Sequence, residues 1–187
     1  MKKGYNDGIV NPNAFNKCDK KILWILREVN HDGELDDWDM CEILRTEIRG
    51  ENGINPGWSN TFAPIIYSTY GILNNLKWHE IPYCKDKPEI IDVLNCIAYM
   101  NVKRTSGGAN VNFQKLSDAY KENKNLIFDQ INKINPDIII YGGTFYLFEN
   151  DLDLISNKKT NHISAYHPAH RGNKEIYCNK IIEAALA

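Results

Sequence analysis

Asn135-Pro136-Asp137-Ile138-Ile139-Ile140-Tyr141-Gly142-Gly143-Thr144 sets a helix stop, an unbroken apolar run and a glycine turn one after another. Asn-Pro-Asp ends whatever helix precedes it, because proline lacks the N–H and clashes with the preceding turn. Ile138 to Tyr141 does not alternate with polar residues, so it suits a strand covered on both faces, as strands of parallel sheets are. On the N-terminal side, Leu116, Ala119, Tyr120, Ile127, Ile131 and Ile134 mark an apolar stripe at helical steps, with Lys121, Glu122 and Lys124 off it. On the C-terminal side comes a strand over Asn161–Tyr166, then a closing helix from about Asn173 to Ala185. Earlier in the chain, Lys21–Arg27 and Asn95–Asn101 read as strands. Asp36 to Arg49 reads as a helix, with acidic residues at its start, Arg45 and Arg49 at its end and Gly50 beyond. Glu51–Trp58 reads as a loop, and Ser59–Leu76 as a helix that tolerates Pro64 only near its first turn. Val102–Asn110, polar and glycine-rich, reads as a loop. Strand and helix alternate through four units. This predicts a single α/β domain over residues 1–187, a three-layer α/β/α sandwich around a four-stranded parallel sheet.

Composition narrows the function classes. With 187 residues, 43% hydrophobic and 25% charged, the chain has the make-up of one ordinary globular domain. Lys and Arg number 22 against 24 Asp and Glu, a formal charge of −2, so bulk charge does not hold it on nucleic acid or an anionic membrane. No apolar run approaches the roughly 20 residues of a membrane span. Met1 to Asp7 puts no apolar stretch behind Lys2 and Lys3, so no secretory signal is expected and a cytoplasmic protein is. The five cysteines (Cys18, Cys41, Cys84, Cys96, Cys178) are scattered without a C-x-x-C pair. They are expected to be reduced thiols, with no metal and no cofactor implied.

In parallel α/β sheets ligands bind beyond the carboxyl ends of the strands. The residues there are Arg27-Glu28-Val29-Asn30-His31, Asn101 with Lys103-Arg104, Gly142-Gly143-Thr144, and His167-Pro168-Ala169-His170-Arg171. His167, directly after a strand and stiffened by Pro168, suits donation to a developing anion; a carbonyl-capping histidine is the plain alternative. Glu28 suits a water-handling carboxylate, or a surface partner for a cation. Asn101 offers a two-sided amide for reading a ligand, or serves a turn. Trp58 can stack on a flat ligand or pack on the sheet. Lys103, Arg104, Arg171 and Lys174 form either a phosphate-binding patch or a solvated surface. Gly142-Gly143-Thr144 fits no nucleotide-binding motif.

Taken together, these segments resemble the uracil-DNA glycosylase superfamily. Ile163-Ser164-Ala165-Tyr166-His167-Pro168-Ala169-His170-Arg171 is similar to its second signature, a strand followed by His-Pro-Ser and a wedge residue. Pro136 to Thr144 is similar to its Pro-Asp-apolar-Gly-Gly strand, and Tyr99-Met100-Asn101-Val102-Lys103-Arg104 to the Thr-Asn-Val-Val-Lys segment of its iron–sulfur branch. The resemblance spans about Lys21 to Arg171 and implies that family's four-stranded sheet. It implies that His167 stabilises a departing base, Asn101 reads it, Trp58 or Phe62 stacks on it, and Arg171 enters the duplex. It places Glu28, with Asn30 as the other polar candidate, at the water. The chain departs from the family in the first signature, where Arg27-Glu28-Val29-Asn30-His31 keeps neither glycine nor proline. Its cysteines do not reproduce the cluster spacing, and Asp36–Arg49 looks like an insertion over the site.

The expected function is therefore hydrolysis of the N-glycosidic bond of uracil or another altered base in DNA, with such DNA as partner. The alternatives are a non-catalytic nucleobase- or nucleotide-binding module on the same fold, and a small-molecule hydrolase using Glu28 and His167.

Overall fold

A computed structural model describes residues 5–29, 38–51, 53–105 and 112–187. Four strands are mutually parallel: β2 (Ile22–Leu26), β5 (Ile97–Asn101), β6 (Ile138–Gly142) and β7 (Asn161–Ala165). Among the described residues the sheet has five strands where four are expected. The fifth, β1 (Gly8–Ile9), pairs antiparallel with β5 at one edge, giving the order β1-β5-β2-β6-β7. Two residues with a left-handed glycine (Gly8, φ 134°) carry no strand periodicity, which is why β1 is invisible in the sequence.

Every residue of β2, β5 and β6 is buried, as their continuous apolar runs require. Alternate side chains feed two cores. Ile22, Trp24, Leu26, Ile138 and Ile140 face one side with α3 (Pro56–Asn74) and α6 (Lys174–Leu186). Leu23, Ile25, Ile139 and Tyr141 face the other with Phe15 of α1 (Pro12–Phe15), Phe148 of α5 (Phe145–Phe148) and α4 (Phe113–Ile134), whose apolar stripe lies where its spacing puts it. Each such side chain contributes about 1.5–3 kcal/mol on burial. The one polar atom of Trp24 is satisfied, its Nε1 donating to Thr69 Oγ1 at 3.1 Å.

Three expected elements differ by more than a residue or two at an end. The Asp36–Arg49 helix is α2 (Met40–Thr46), capped by Asp39, whose carboxylate accepts from Glu42 N at 2.9 Å; residues 30–37 lie outside the described chain. The expected Glu51–Trp58 loop holds a two-strand ribbon, β3 (Arg49–Gly50) and β4 (Gly53–Ile54). Pro64 sits inside α3, well past its first turn, because the helix starts earlier than expected, with Asn55 as cap and Pro56 at its first position. Gly71 marks where α3 and α6 touch: a Cβ there would lie 2.4 Å from Ile182 Cδ1. Among the described residues no helix is long and apolar enough to cross a membrane.

All five cysteines are free thiols; Cys41, Cys84 and Cys178 are buried and Cys18 and Cys96 half-buried. Among the described residues no cluster of three or more His, Cys, Asp or Glu is placed to hold a metal ion.

Candidate functional site

A cavity of about 700 Å³ opens at the carboxyl end of the sheet, a size that suits a small ligand. Arg27 and Glu28 line it from the end of β2, Gly143 from the end of β6, and Tyr166, His167 and His170 from the end of β7. Three of the four expected strand-end loops therefore meet in one place.

His167 is held from several directions. Gly143 N donates to Ala165 O at 2.8 Å, tying the β6 turn to the end of β7, and His170 N donates to His167 O at 2.9 Å. Gly143 has φ 77°, and a Cβ there would stand 3.3 Å from His167 N and 3.5 Å from its Cβ. Gly143→Ala is therefore expected to cost about 1–2 kcal/mol in left-handed backbone and to push His167 out of place. Denaturant melts would read the first effect, and any activity of the site the second.

The His167 ring accepts at Nδ1 from Ala169 N at 3.2 Å. Burial, then the Arg27 guanidinium, then His170 push its pKa down to about 4. The ring is thus neutral near pH 7, and with Nδ1 accepting, its single proton sits on Nε2. A neutral imidazole with Nε2–H is a donor for developing negative charge. It is a weak source of a whole proton.

Glu28 is half-buried, and its Oε2 is buried without a hydrogen-bond partner among the described residues. An unmatched buried carboxylate oxygen is costly, and in a cavity wall it marks a place for a water or a ligand donor. Asn30, the other candidate for that role, lies outside the described residues.

The remaining candidates stand elsewhere. Asn101 is fully buried (0% exposed) at the end of β5 and does not line the cavity. Its Oδ1 accepts from Tyr5 Oη and its backbone N–H donates to Asp7 Oδ2 at 3.0 Å, while its Nδ2 has no partner among the described residues. The N-terminal segment that adds β1 thus lies against the amide expected to read a base. Phe62 is a core residue at 1% exposure, and Trp58 is half-buried against Trp38 and Phe62; the adjacent Thr61 lines the cavity instead.

The expected basic patch is not one patch. Arg104 pairs with Asp7 at 3.0 Å and with Gln130 beside it, Lys174 lines a separate depression with Trp78 and Tyr83, and Lys103 and Arg171 do not line the cavity. Asp7 is buried and also accepts from Gln130 Nε2 at 3.0 Å. Asp7→Ala, which strands Arg104 and the Asn101 N–H, is expected to cost about 3–5 kcal/mol in a urea titration. α2 does not line the cavity, so the expected covering by that insertion is absent among the described residues.

What the sequence reading passed over is aromatic. Phe113, Phe145, Tyr146 and Tyr166 line the cavity. The signal was present in Phe145-Tyr146 following the double glycine and in Tyr166 beside His167. Thr144, between these, is fully buried, its Oγ1 donating to Ile25 O at 3.0 Å and locking β6 to β2.

The site therefore offers a neutral imidazole donor, an unpartnered carboxylate oxygen, a guanidinium and exposed aromatic faces around one cavity. No protein-family model matches the chain, and no curated protein matches it either.

Proposed function

We propose that the chain hydrolyses the N-glycosidic bond of uracil or another altered base in DNA, on a sheet resembling that of the uracil-DNA glycosylase superfamily. The observation that carries this reading is that a neutral His167 with its proton on Nε2 shares one cavity with the unpartnered Oε2 of Glu28. Cleavage of this bond builds positive charge on the sugar and negative charge on the base. The His167 Nε2–H meets the base anion, and a carboxylate at Glu28 orients water and faces the oxocarbenium sugar. The aromatic lining gives an extruded base surfaces to rest on.

A second reading is binding of a nucleobase or nucleotide without cleavage. It is favoured by the closure of Asn101 under Tyr5, which leaves the base edge without its expected reader. Release of free base from oligonucleotides carrying uracil, hypoxanthine or xanthine separates the two. Turnover supports hydrolysis, whereas tight binding of the same oligonucleotides with no released base at high enzyme supports the binding module.

A further inference from the structure

A second cavity, of about 580 Å³, lies between β7 and α6. It shares Ser164, Ala165, Tyr166 and His170 with the His167 cavity, so Tyr166 and His170 form a wall common to both. Among the described residues β7 is an edge strand of the sheet and pairs only with β6, which leaves this side of it open to a ligand.

The wall is aromatic and fixed from behind. Tyr166 stacks on His170 with ring centroids 5.4 Å apart and planes 24° apart, and His170 packs on Tyr177 at 5.0 Å. Tyr177 Oη in turn donates to Tyr166 O at 2.9 Å. Yet Tyr166 is 75% exposed, a large ring held in position with most of its surface in water. His170 Nδ1, in the same wall, is buried with no hydrogen-bond partner among the described residues. Across the first cavity, Phe113 and Tyr146 are also exposed (62% and 44%) and meet edge to face at 6.3 Å. Three of the four exposed aromatic rings among the described residues, all but Tyr83, therefore surround one opening. Among the described residues Lys180 is the only Lys, Arg, Asp or Glu lining the second cavity.

A preorganised aromatic face beside a lone cation, with no carboxylate to oppose it, matches a planar ring joined to an anion. We infer that the second cavity is a subsite for the nucleotide adjacent, on a single strand, to the one whose base enters the His167 cavity. The neighbouring base stacks on Tyr166, and its phosphate lies at Lys180. The single strand is specified because a base inside a duplex has both faces covered by its neighbours, whereas an unpaired base has a face free for the ring. With a net charge of −2, stacking has to supply affinity that bulk charge does not. This inference rests on the nucleic-acid reading above and extends it to strand form and to a second binding position.

The test is fluorescence anisotropy with a short labelled oligothymidylate, single-stranded and as a duplex with its complement, over a salt series. Wild type is expected to prefer the single strand. Tyr166→Ala should weaken single-strand binding about tenfold, Tyr166→Phe should retain it, and Lys180→Gln should flatten the slope of log affinity against log salt by about 0.7. Circular dichroism should be unchanged in all three variants, since Tyr166 is mostly exposed and Lys180 lies on the surface. Equal affinity in wild type, Tyr166→Ala and Lys180→Gln overturns the subsite, and so does a preference for duplex. If base release is found while Tyr166→Ala binds as wild type, the subsite falls and the glycosylase reading stands. If no oligonucleotide binds and no base is released, both fall.

Discussion

Base release by His167→Ala is expected to fall about a hundred- to a thousandfold, the usual effect of deleting one donor to a developing anion. The loss should appear in kcat more than in KM, because the contact strengthens only as the base becomes negative. The pH profile distinguishes this role from ordinary acid catalysis. Burial, Arg27 and His170 hold the His167 pKa down at about 4. The neutral donor thus persists far below the range where a solvent-exposed histidine gains its proton, and activity should stay level through mildly acid pH and decline only toward pH 4. An acid limb centred near 6.5 would count against the assignment.

The same depressed pKa acts on stability, with a definite sign. Between about pH 4 and 6.5 the unfolded chain protonates this imidazole and the folded chain does not, so stability rises with pH through that window. It is complete above about 6.5 and lost as pH falls, by about 3 kcal/mol at most from this group. Urea midpoints at pH 7 and pH 5 should therefore differ less in His167→Ala than in wild type.

Glu28→Gln is expected to lower base release about a hundred- to ten-thousandfold, since an amide neither accepts the proton of an attacking water nor carries charge to the sugar. Stability should not fall with it. Glu28 Oε2 has no hydrogen-bond partner among the described residues, so exchanging the carboxylate for a neutral group of the same shape breaks no hydrogen bond at that atom. Loss of activity with an unchanged or raised urea midpoint would mark a group kept for function. If Glu28→Gln turns over like wild type, the water assignment is wrong and the search moves to the residues beyond Val29.

Most of the sheet was legible because its strands are long enough and apolar enough to declare themselves. Ile22–Leu26 and Ile138–Tyr141 needed nothing beyond their own composition. Once those two strands and Asn161–Ala165 are placed, the positions of Glu28, Gly143 and His167 at their carboxyl ends follow from chain geometry alone. Asn101 shows the limit of that argument. It too ends a parallel strand, but its neighbours are fixed by β1 and Tyr5, a segment too short to carry a pattern. Whether a strand-end side chain faces a cavity or a neighbouring backbone is a tertiary property. The aromatics failed for the converse reason. Phe62 and Tyr166 are both large rings near candidate loops, and only the packing shows that one is core at 1% exposure and the other stands 75% in water.

The pairing pattern of the sheet also bears on how the site comes into being. Ile138 finds its partner Asn161 across one short connection, whereas Ile22 must find Ile97 on one side and Ile138 on the other, both far along the chain. Closing long loops slows folding, so the β6–β7 unit is expected to pair first and β2 to be inserted between its neighbours afterwards, an order that φ-values near zero in Ile22–Leu26 beside higher ones at Ile139 and Ile163 would check. Gly143 and His167 belong to the early unit and Glu28 to the late strand. The donor half of the cavity can thus assemble without the carboxylate half, and the half-buried Glu28 side chain is brought in only with the final pairings.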